Sequence, residues 1–225
     1  MFESKYSKLL TVLLIGGIII IVGALMFFGV QLVRNYYINK DAADAVERFE
    51  GDGKNENKNT NTEKNVVTNT VAPVLGLENI ISGDGSSSDE NKKMYKGFPM
   101  VGTIEIPAIN LKYPVLEEAS KSAIEVAVAV YYGPGLNEVG NTTIVGHNYR
   151  NGTFFSNNKK LVEGDKVYIT DNSGNKITYV IYKTYTTAPE DSDYLDRDTQ
   201  GKREISLLTC TDDTKSRLII WAREQ

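Results

Sequence analysis

Residues 204–223 read EISLLTCTDDTKSRLIIWAR, and they carry the clearest structural signal in the chain. Two runs of strand-forming residues, 204–210 and 217–223, flank a polar loop. We predict an antiparallel hairpin that brings Cys210 and Arg217 to the same end. Side chains alternate between the two faces of a strand. On the second strand, the set Leu218, Ile220 and Ala222 suits a buried core, and the set Arg217, Ile219, Trp221 and Arg223 would face outward, toward a surface groove.

Short runs of the same kind fill the chain from about residue 98 onward. They are rich in Val, Ile, Thr and Tyr, and Gly, Pro, Asn and Asp clusters separate them. They lie at 100–107, 111–116, 141–147, 166–170 and 176–185. The turn cluster Asp171 to Asn175 predicts a second hairpin, and Ser122 to Val130 is expected to form a short helix. We therefore predict an all-β domain with minor helices, folded as a small closed β-barrel.

An uncharged apolar run lies near the N-terminus. Leu9 to Val30 reads LLTVLLIGGIIIIVGALMFFGV, and a helix of this length spans roughly 33 Å, enough for a bilayer core of about 30 Å. The alternative is a cleaved signal peptide, but the run exceeds the usual apolar region of a signal and no A-x-A-like site follows it. We predict a short cytoplasmic N-terminus at 1–8 and a transmembrane signal-anchor helix at 9–33.

The next segment has the composition of a linker. Its stretches GDGKNENKNTNTEKN (51–65) and SGDGSSSDENKK (82–93) are polar and poor in aromatic residues, so they cannot bury enough apolar surface to offset the entropy of ordering. Within 39–50, four apolar residues recur at helical spacing, which is a weak signal for a short helix. We predict a flexible low-complexity tether at 34–95 and a folded domain at 96–225.

Composition limits the function classes. The 225 residues carry a formal net charge of -4, with a pI near 5.2. This mild acidity argues against a nucleic-acid-binding protein, which would show a basic patch or stripe. The chain has one cysteine, Cys210, and one histidine, His147. One cysteine cannot form an internal disulfide, so any thiol chemistry must use Cys210.

Three side chains could together perform nucleophilic catalysis. Taken singly, Cys210 is typical of a small buried apolar residue, and His147 and Arg217 are typical of polar surface residues. A thiol nucleophile, however, acts as its thiolate, and a nearby cation favours that form. A fixed cation also stabilises the oxyanion of a tetrahedral intermediate, and a histidine can protonate the leaving amine. Cys210, His147 and Arg217 supply these groups.

At this level of detail the sequence resembles the sortase family. The run Ser206 to Cys210 resembles the family's TLxTC nucleophile strand, with serine in place of the first threonine. Arg217 to Arg223 resembles the strand with the essential arginine, and Gly140 to His147 resembles the GN-x-x-I-x-GH strand with the catalytic histidine. Further matches lie at Gly102 to Pro107, Leu111 to Val115, Gly152 to Ser156 and Glu163 to Ile169. The resemblance covers about residues 98 to 225.

The resemblance implies a sortase-type closed β-barrel of about eight strands. It also implies a cysteine transpeptidase that anchors surface proteins in Gram-positive bacteria. Such an enzyme cleaves an LPxTG-like C-terminal sorting signal between Thr and Gly through a thioacyl enzyme, and transfers the protein to a cell-wall or pilin amine. The implied catalytic residues are Cys210, His147 and Arg217, and the implied substrate-binding residues are Thr209, Ser206, Tyr194 and Leu195. The signal peptide would lie along the loop Thr186 to Lys202.

No cofactor or metal is expected. The loop Thr186 to Lys202 is acidic, and some sortases bind calcium. Clustered carboxylates alone, however, are weak support for a calcium site. The resemblance fits a class A or D enzyme best: the loop before the nucleophile strand is too short for the extra helix of class B, and no Asp-Pro-Trp-like lid motif of class C precedes the domain. We expect a single-pass membrane protein with its N-terminus inside and its catalytic domain outside the cell.

Two kinds of alternative stay open at this point. Other cell-wall cysteine enzymes also use Cys and His, but NlpC/P60 peptidases place Cys before His, the reverse of the order here. L,D-transpeptidases carry an S-x-G-C-like motif, and the glycine is missing before Cys210. A non-enzymatic surface domain displayed on a tether is the third hypothesis, and it leaves the grouping of Cys210, His147 and Arg217 without a purpose.

Overall fold

The computed structural model describes residues 3–56 and 92–225, and the second range forms a closed β-barrel. The strands in it are β1 (Met94–Tyr95), β2 (Phe98–Ile106), β3 (Leu111–Leu116), β4 (Val128–Tyr132), β5 (Gly140–Val145), β6 (Lys166–Asp171), β7 (Lys176–Thr187), β8 (Arg203–Cys210) and β9 (Arg217–Glu224). They follow the order β1-β2-β3-β4-β5-β8-β9-β7-β6, and pairing of β2 with β6 closes a ring of eight strands. Short 3₁₀ helices lie at Pro107–Ile109 and Phe154–Lys160. The predicted fold class is confirmed.

The barrel interior is filled by alternate residues of its strands, as a period of two requires. On β9, Ile220 and Ala222 are fully buried and Leu218 is nearly so, and all three pack in the main core cluster. The predicted core face of this strand is therefore confirmed. The opposite face is not open to solvent along its whole length, because Ile219 is fully buried beneath the loop that joins β7 to β8.

In the described residues one long helix, α1 (Glu3–Glu56), precedes the barrel. From Leu9 to Val33 its large apolar side chains are exposed, and this part is long and apolar enough to cross a membrane. The helix continues without a break to Glu56, so the predicted tether at 34–95 is wrong for residues 34–56. It is also wrong at its other end, because Met94–Tyr95 form β1 and pair with β2. Residues 57–91 of that prediction lie outside the described residues.

The second half of α1 is ordered because it buries an apolar stripe against the barrel. Ala42 and Val46 are fully buried, and Ala45 and Phe49 are at most 5% exposed. Their spacing of three and four residues places them on one helix face. Burial of a large apolar side chain such as Phe49 contributes about 1.5–3 kcal/mol and favours the docked helix.

Candidate active site

The β8–β9 hairpin brings a thiol and a guanidinium together at its loop end. Cys210 and Arg217 are the last paired residues of the ladder before the loop, as predicted. Nη1 of Arg217 lies 3.4 Å from Sγ of Cys210, within hydrogen-bond distance for sulfur, and both residues are half-buried. A fixed positive charge therefore stands beside the sulfur, where it can stabilise negative charge on the sulfur or on an oxygen that forms next to it.

His147 reaches the same end of the barrel because both of its chain neighbours bond to β8. Strand β5 runs parallel to β8, and the N–H of Gly146 extends that ladder by donating to the carbonyl of Leu208 at 3.1 Å. After the histidine, Nδ2 of Asn148 donates to the carbonyl of Cys210 at 3.0 Å. These bonds fix the backbone on both sides of His147 against the strand end that carries the thiol.

The residue before the histidine must be a glycine for this approach. A Cβ at Gly146 would lie 2.8 Å from Cγ1 of Val128 and 2.9 Å from the ring of Phe155. Such distances are shorter than carbon atoms tolerate, so even alanine would push β4 or the Phe155 ring aside. The Gly-His pair of the sequence motif therefore has a packing reason.

The environment of His147 sets its protonation. The imidazole is half-buried, and its ring centroid lies 4.8 Å from that of Tyr149. Burial disfavours the imidazolium and lowers the pKa of His147 below its ordinary value, while the carboxylate of Glu125 acts in the opposite direction. The imidazole is therefore mainly neutral near pH 7, and it can accept a proton in one step and return it in the next.

The hydroxyls of Thr209 and Ser206, two of the predicted substrate-binding residues, form hydrogen bonds inside the protein. Oγ1 of Thr209 donates to the carbonyl of Gly146 at 2.7 Å, and Oγ of Ser206 lies 2.9 Å from Oδ1 of Asn141. Both residues are at most 2% exposed. These bonds give both side chains a structural role: Thr209 ties β8 to the residue before the histidine, and Ser206 supports the β7–β8 loop. Substrate binding at Thr209 and Ser206 stays a prediction.

The β7–β8 loop (residues 188–202) lies on the outer face of β8 and β9. Nδ2 of Asn141 donates to the carbonyls of Tyr194 and Leu195, each at 2.9 Å. Tyr194 is 4% exposed and packs on Leu208 and Ile219, with Leu195 beside them. The ring of Tyr194 is therefore part of a small core beneath the loop, whereas Leu195 keeps partial exposure. Substrate binding at Tyr194 and Leu195 stays a prediction.

A buried carboxylate that sequence reasoning missed holds this loop. Glu204 is 1% exposed, and its carboxylate accepts from Nε of Arg223 at 2.5 Å, from the Tyr182 hydroxyl at 2.7 Å and from Nη1 of Arg197. Burial opposes the charged form, but these hydrogen bonds outweigh it and keep the pKa of Glu204 below its ordinary value. The sequence held one signal of this buried carboxylate: Glu204 begins a predicted strand whose next residues are mostly apolar.

The described part of the chain offers no arrangement of side chains that would support a calcium site. Within residues 3–56 and 92–225, no group of three or more His, Cys, Asp or Glu side chains is arranged to hold a metal ion. In the acidic β7–β8 loop, Asp191 instead accepts hydrogen bonds from the Thr187 hydroxyl and from the N–H of Asp193.

Comparisons with known proteins agree with this geometry. The family model described as Sortase domain matches residues 104–225. "Sortase A" of Bacillus anthracis is 30% identical over 112 residues, which cover 49% of this chain and 52% of that protein. "Sortase A" of Streptococcus agalactiae serotype III (strain NEM316) is 26% identical over 218 residues, covering 91% of this chain and 81% of that protein. The chain thus spans about half the length of the first of these relatives.

Solved structures share the fold. Sortase A from Corynebacterium diphtheriae, a lid mutant, superposes with a TM-score of 0.53 at 26% identity, covering 61% of this chain and 74% of that one. Sortase C1 of GBS Pilus Island 1 superposes with a TM-score of 0.51 at 26% identity, covering 56% of this chain and 64% of that one. Sortases A and C1 match about equally, so the predicted class A or D assignment stays a prediction. The family model covers more than half of the chain, and the chain belongs to the sortase family of cysteine transpeptidases.

Proposed function

We propose that this protein cleaves an LPxTG-like C-terminal sorting signal between Thr and Gly and transfers the new carboxyl end to a cell-wall or pilin amine. One observation carries the proposal. The guanidinium of Arg217 lies 3.4 Å from the sulfur of Cys210, and the residues flanking His147 bond to the same strand end. A nucleophile, a cation and a proton carrier therefore share one end of the barrel, as acyl transfer requires.

The first half-reaction forms a thioester. The sulfur of Cys210 attacks the threonine carbonyl carbon, and the thiol proton passes to the neutral imidazole of His147. Arg217 stabilises the negative charge that develops on the carbonyl oxygen. The carbon–nitrogen bond to glycine then breaks, and His147 gives its proton to the leaving amine. The products are a thioacyl enzyme and a peptide with a free N-terminal glycine.

The second half-reaction releases the enzyme. An amine attacks the thioester carbonyl carbon, and His147, neutral again, takes a proton from the attacking nitrogen. The carbon–sulfur bond breaks as the amide forms, and the proton held by His147 returns to the sulfur. Because burial lowers the pKa of His147, the neutral base that both half-reactions need is present at physiological pH.

The proposed setting is the outer face of a bacterial membrane. The apolar part of α1 serves as a single-pass anchor with the N-terminus inside, and the barrel lies outside the cell, where sorting signals and acceptor amines are exposed. The partners are surface proteins that carry the signal and a cell-wall precursor or pilin subunit that offers the amine. Membership of the sortase family argues against the NlpC/P60, L,D-transpeptidase and non-enzymatic alternatives.

The proposal is tested with the full chain in detergent micelles and a panel of quenched LPxTG-like peptides, with and without an added amine. We expect cleavage between Thr and Gly, and a covalent adduct on Cys210 with the mass of the acyl fragment. Cys210→Ala should abolish both the cleavage and the adduct. Absence of cleavage across the panel, or cleavage that persists in Cys210→Ala, would contradict the proposed function.

A further inference from the structure

The loop that carries the histidine is held by the helix that leaves the membrane-spanning segment. We name residues 146–154 the histidine loop. Asn35 of α1 and Asn151 of the loop exchange two hydrogen bonds: Nδ2 of Asn35 donates to the Asn151 carbonyl at 3.1 Å, and Nδ2 of Asn151 donates to Oδ1 of Asn35 at 3.2 Å. One helical turn later, Nδ2 of Asn39 lies 3.5 Å from the carbonyl of Gly152. The membrane anchor and the histidine loop are thus in direct contact.

A buried tyrosine connects the same helix to the end of the loop. The hydroxyl of Tyr113 donates to Oδ1 of Asn39 at 2.5 Å and accepts from the backbone N–H of Phe154 at 3.2 Å. Tyr113 is 2% exposed, and burial raises the pKa of its hydroxyl to about 12, so the hydroxyl stays protonated and available as a donor. One oxygen therefore joins the barrel wall, α1 and the histidine loop.

The loop needs this support because its backbone is strained. Phe154 has a φ of 49° and Arg150 a φ of 58°, both in the left-handed region that non-glycine residues avoid. Each such residue costs about 1–3 kcal/mol, and the conformation persists only where its surroundings determine it. The hydrogen bond from the Phe154 N–H to Tyr113 is one of the contacts that hold it.

Aromatic rings carry the contact onward to the histidine. The Phe154 ring lies 5.3 Å from the Tyr113 ring and 5.7 Å from the Tyr149 ring, centroid to centroid, and Tyr149 lies 4.8 Å from His147. Phe154 is 4% exposed. A shift of Phe154 would therefore move Tyr149 and change how deeply His147 is buried.

We propose that the juxtamembrane part of α1 (residues 34–50) is a positioning element of the active site, acting on His147 through Asn39 and Tyr113. This rests on the catalytic role proposed for His147. Misplacement of a catalytic group by about 1 Å can cost as much as 100-fold in rate. The anchor helix thus tethers the barrel and also sets the geometry of its proton carrier.

The test compares two hydroxyl deletions in the full chain in detergent micelles. Tyr113→Phe removes the hydroxyl that joins α1 to the histidine loop. Tyr95→Phe removes an equally buried hydroxyl that also bonds α1, at Asp41 Oδ2, but does not bond the histidine loop. We expect Tyr113→Phe and Asn39→Ala to lower kcat for peptide cleavage roughly tenfold, with KM within about twofold, and Tyr95→Phe to leave both unchanged. Asn39→Asp keeps the acceptor for the Tyr113 hydroxyl but loses the donor to the Gly152 carbonyl, so its kcat should lie between that of the unaltered chain and that of Asn39→Ala.

A second readout does not depend on activity. The chain has one histidine, so the imidazole NMR signals of the labelled protein give the pKa of His147 directly. We expect a value below the ordinary one in the unaltered chain and a rise toward 6.5 in Tyr113→Phe and Asn39→Ala, because a looser loop exposes the ring. Glu125, which raises this pKa, is the same in every variant.

The outcomes are distinct. If Tyr113→Phe and Asn39→Ala leave kcat and the imidazole titration unchanged, the inference is overturned. It is also overturned if Tyr95→Phe changes kcat and the titration as much as Tyr113→Phe does, because that would indicate general loosening of the helix. An unaltered chain that cleaves no peptide would count against the proposed function alone, because the imidazole titration would still report whether α1 positions the loop.

Discussion

Among single side chains, the two arginines at the ends of β9 have different surroundings. The guanidinium of Arg217 reaches the sulfur of Cys210. That of Arg223 donates to Glu204 and lies 4.9 Å over the ring of Tyr182. Both arginines belong to the outward set of the strand, so the alternation of side chains alone cannot tell which of them acts on the thiol. The contacts support Arg217 as the residue that acts on the thiol and give Arg223 a structural partner.

We expect Arg217→Lys to lower kcat/KM for peptide cleavage roughly 10- to 100-fold. An ammonium keeps the charge but cannot place two N–H donors in one plane, so it stabilises a developing oxyanion poorly. The thermal midpoint should fall little, because the residue is half-buried and pairs at a strand end. Steady-state kinetics and thermal unfolding of the same preparation measure both effects.

Arg223→Lys is the matched control on the same strand. It should leave kcat/KM within about threefold and instead lower stability, because Glu204 loses a charged hydrogen bond of about 1.5–3 kcal/mol. A larger kinetic loss at Arg223 than at Arg217 would mean that the assignment of the two arginines is reversed.

Among the elements, the β7–β8 loop is held by the side chain of Arg197, which reaches four partners, one of them the Tyr182 hydroxyl at 2.7 Å. Arg197 bonds Glu204 through Nη1 and donates from Nη2 to Oδ1 of Asn141 at 2.9 Å. Its guanidinium also lies 4.1 Å from the centre of the Trp221 ring. Since this loop covers the outer face beside Cys210, Arg197 determines the shape of one wall of the proposed substrate groove.

We expect Arg197→Ala to release the loop. KM for the peptide should rise about tenfold with kcat within about threefold, because loop order contributes to binding and the catalytic groups stay in place. The chain has one tryptophan, so a red shift of Trp221 emission reports loss of the stacked guanidinium directly. Asp196→Ala, at an exposed position of the same loop, should change neither quantity. If the emission shifts to the red but KM stays unchanged, the order of the loop does not contribute to peptide binding and the prediction is wrong.

Local signals predicted some elements and misread others. The 204–223 hairpin was predictable because alternation, loop length and the pairing of Cys210 with Arg217 are all local. The segment 122–130 was predicted as a helix, but it forms turns followed by β4, as its β-branched residues favour. The burial of Ser206 and the bond from Tyr113 to Asn39 depend on partners more than 60 residues away, and no local pattern records them.

In the whole molecule, α1 as the proposed membrane anchor holds the barrel close to the membrane. Asn35, which bonds the histidine loop, comes two residues after the apolar segment ends at Val33. At 1.5 Å per residue this separation is about 3 Å along the helix axis. In the proposed membrane-anchored arrangement, the end of the barrel with the histidine loop lies at the level where the helix leaves the apolar layer, and a flexible tether could not fix that level.

A cross-linking experiment tests this docking in the full chain reconstituted into vesicles. Its single cysteine makes Cys210→Ala a background free of thiols. We expect Asn35→Cys with Asn151→Cys to form an intramolecular disulfide on mild oxidation, because the Asn35 side chain bonds both the backbone carbonyl and the side chain of Asn151 and so holds the two positions close together. Tyr37→Cys with Asn151→Cys is the matched control, since Tyr37 is exposed on the far side of the helix. A gel shift of the first pair but not the second would place the barrel against α1 in the membrane, and equal cross-linking of both would mean that the barrel moves freely about its anchor.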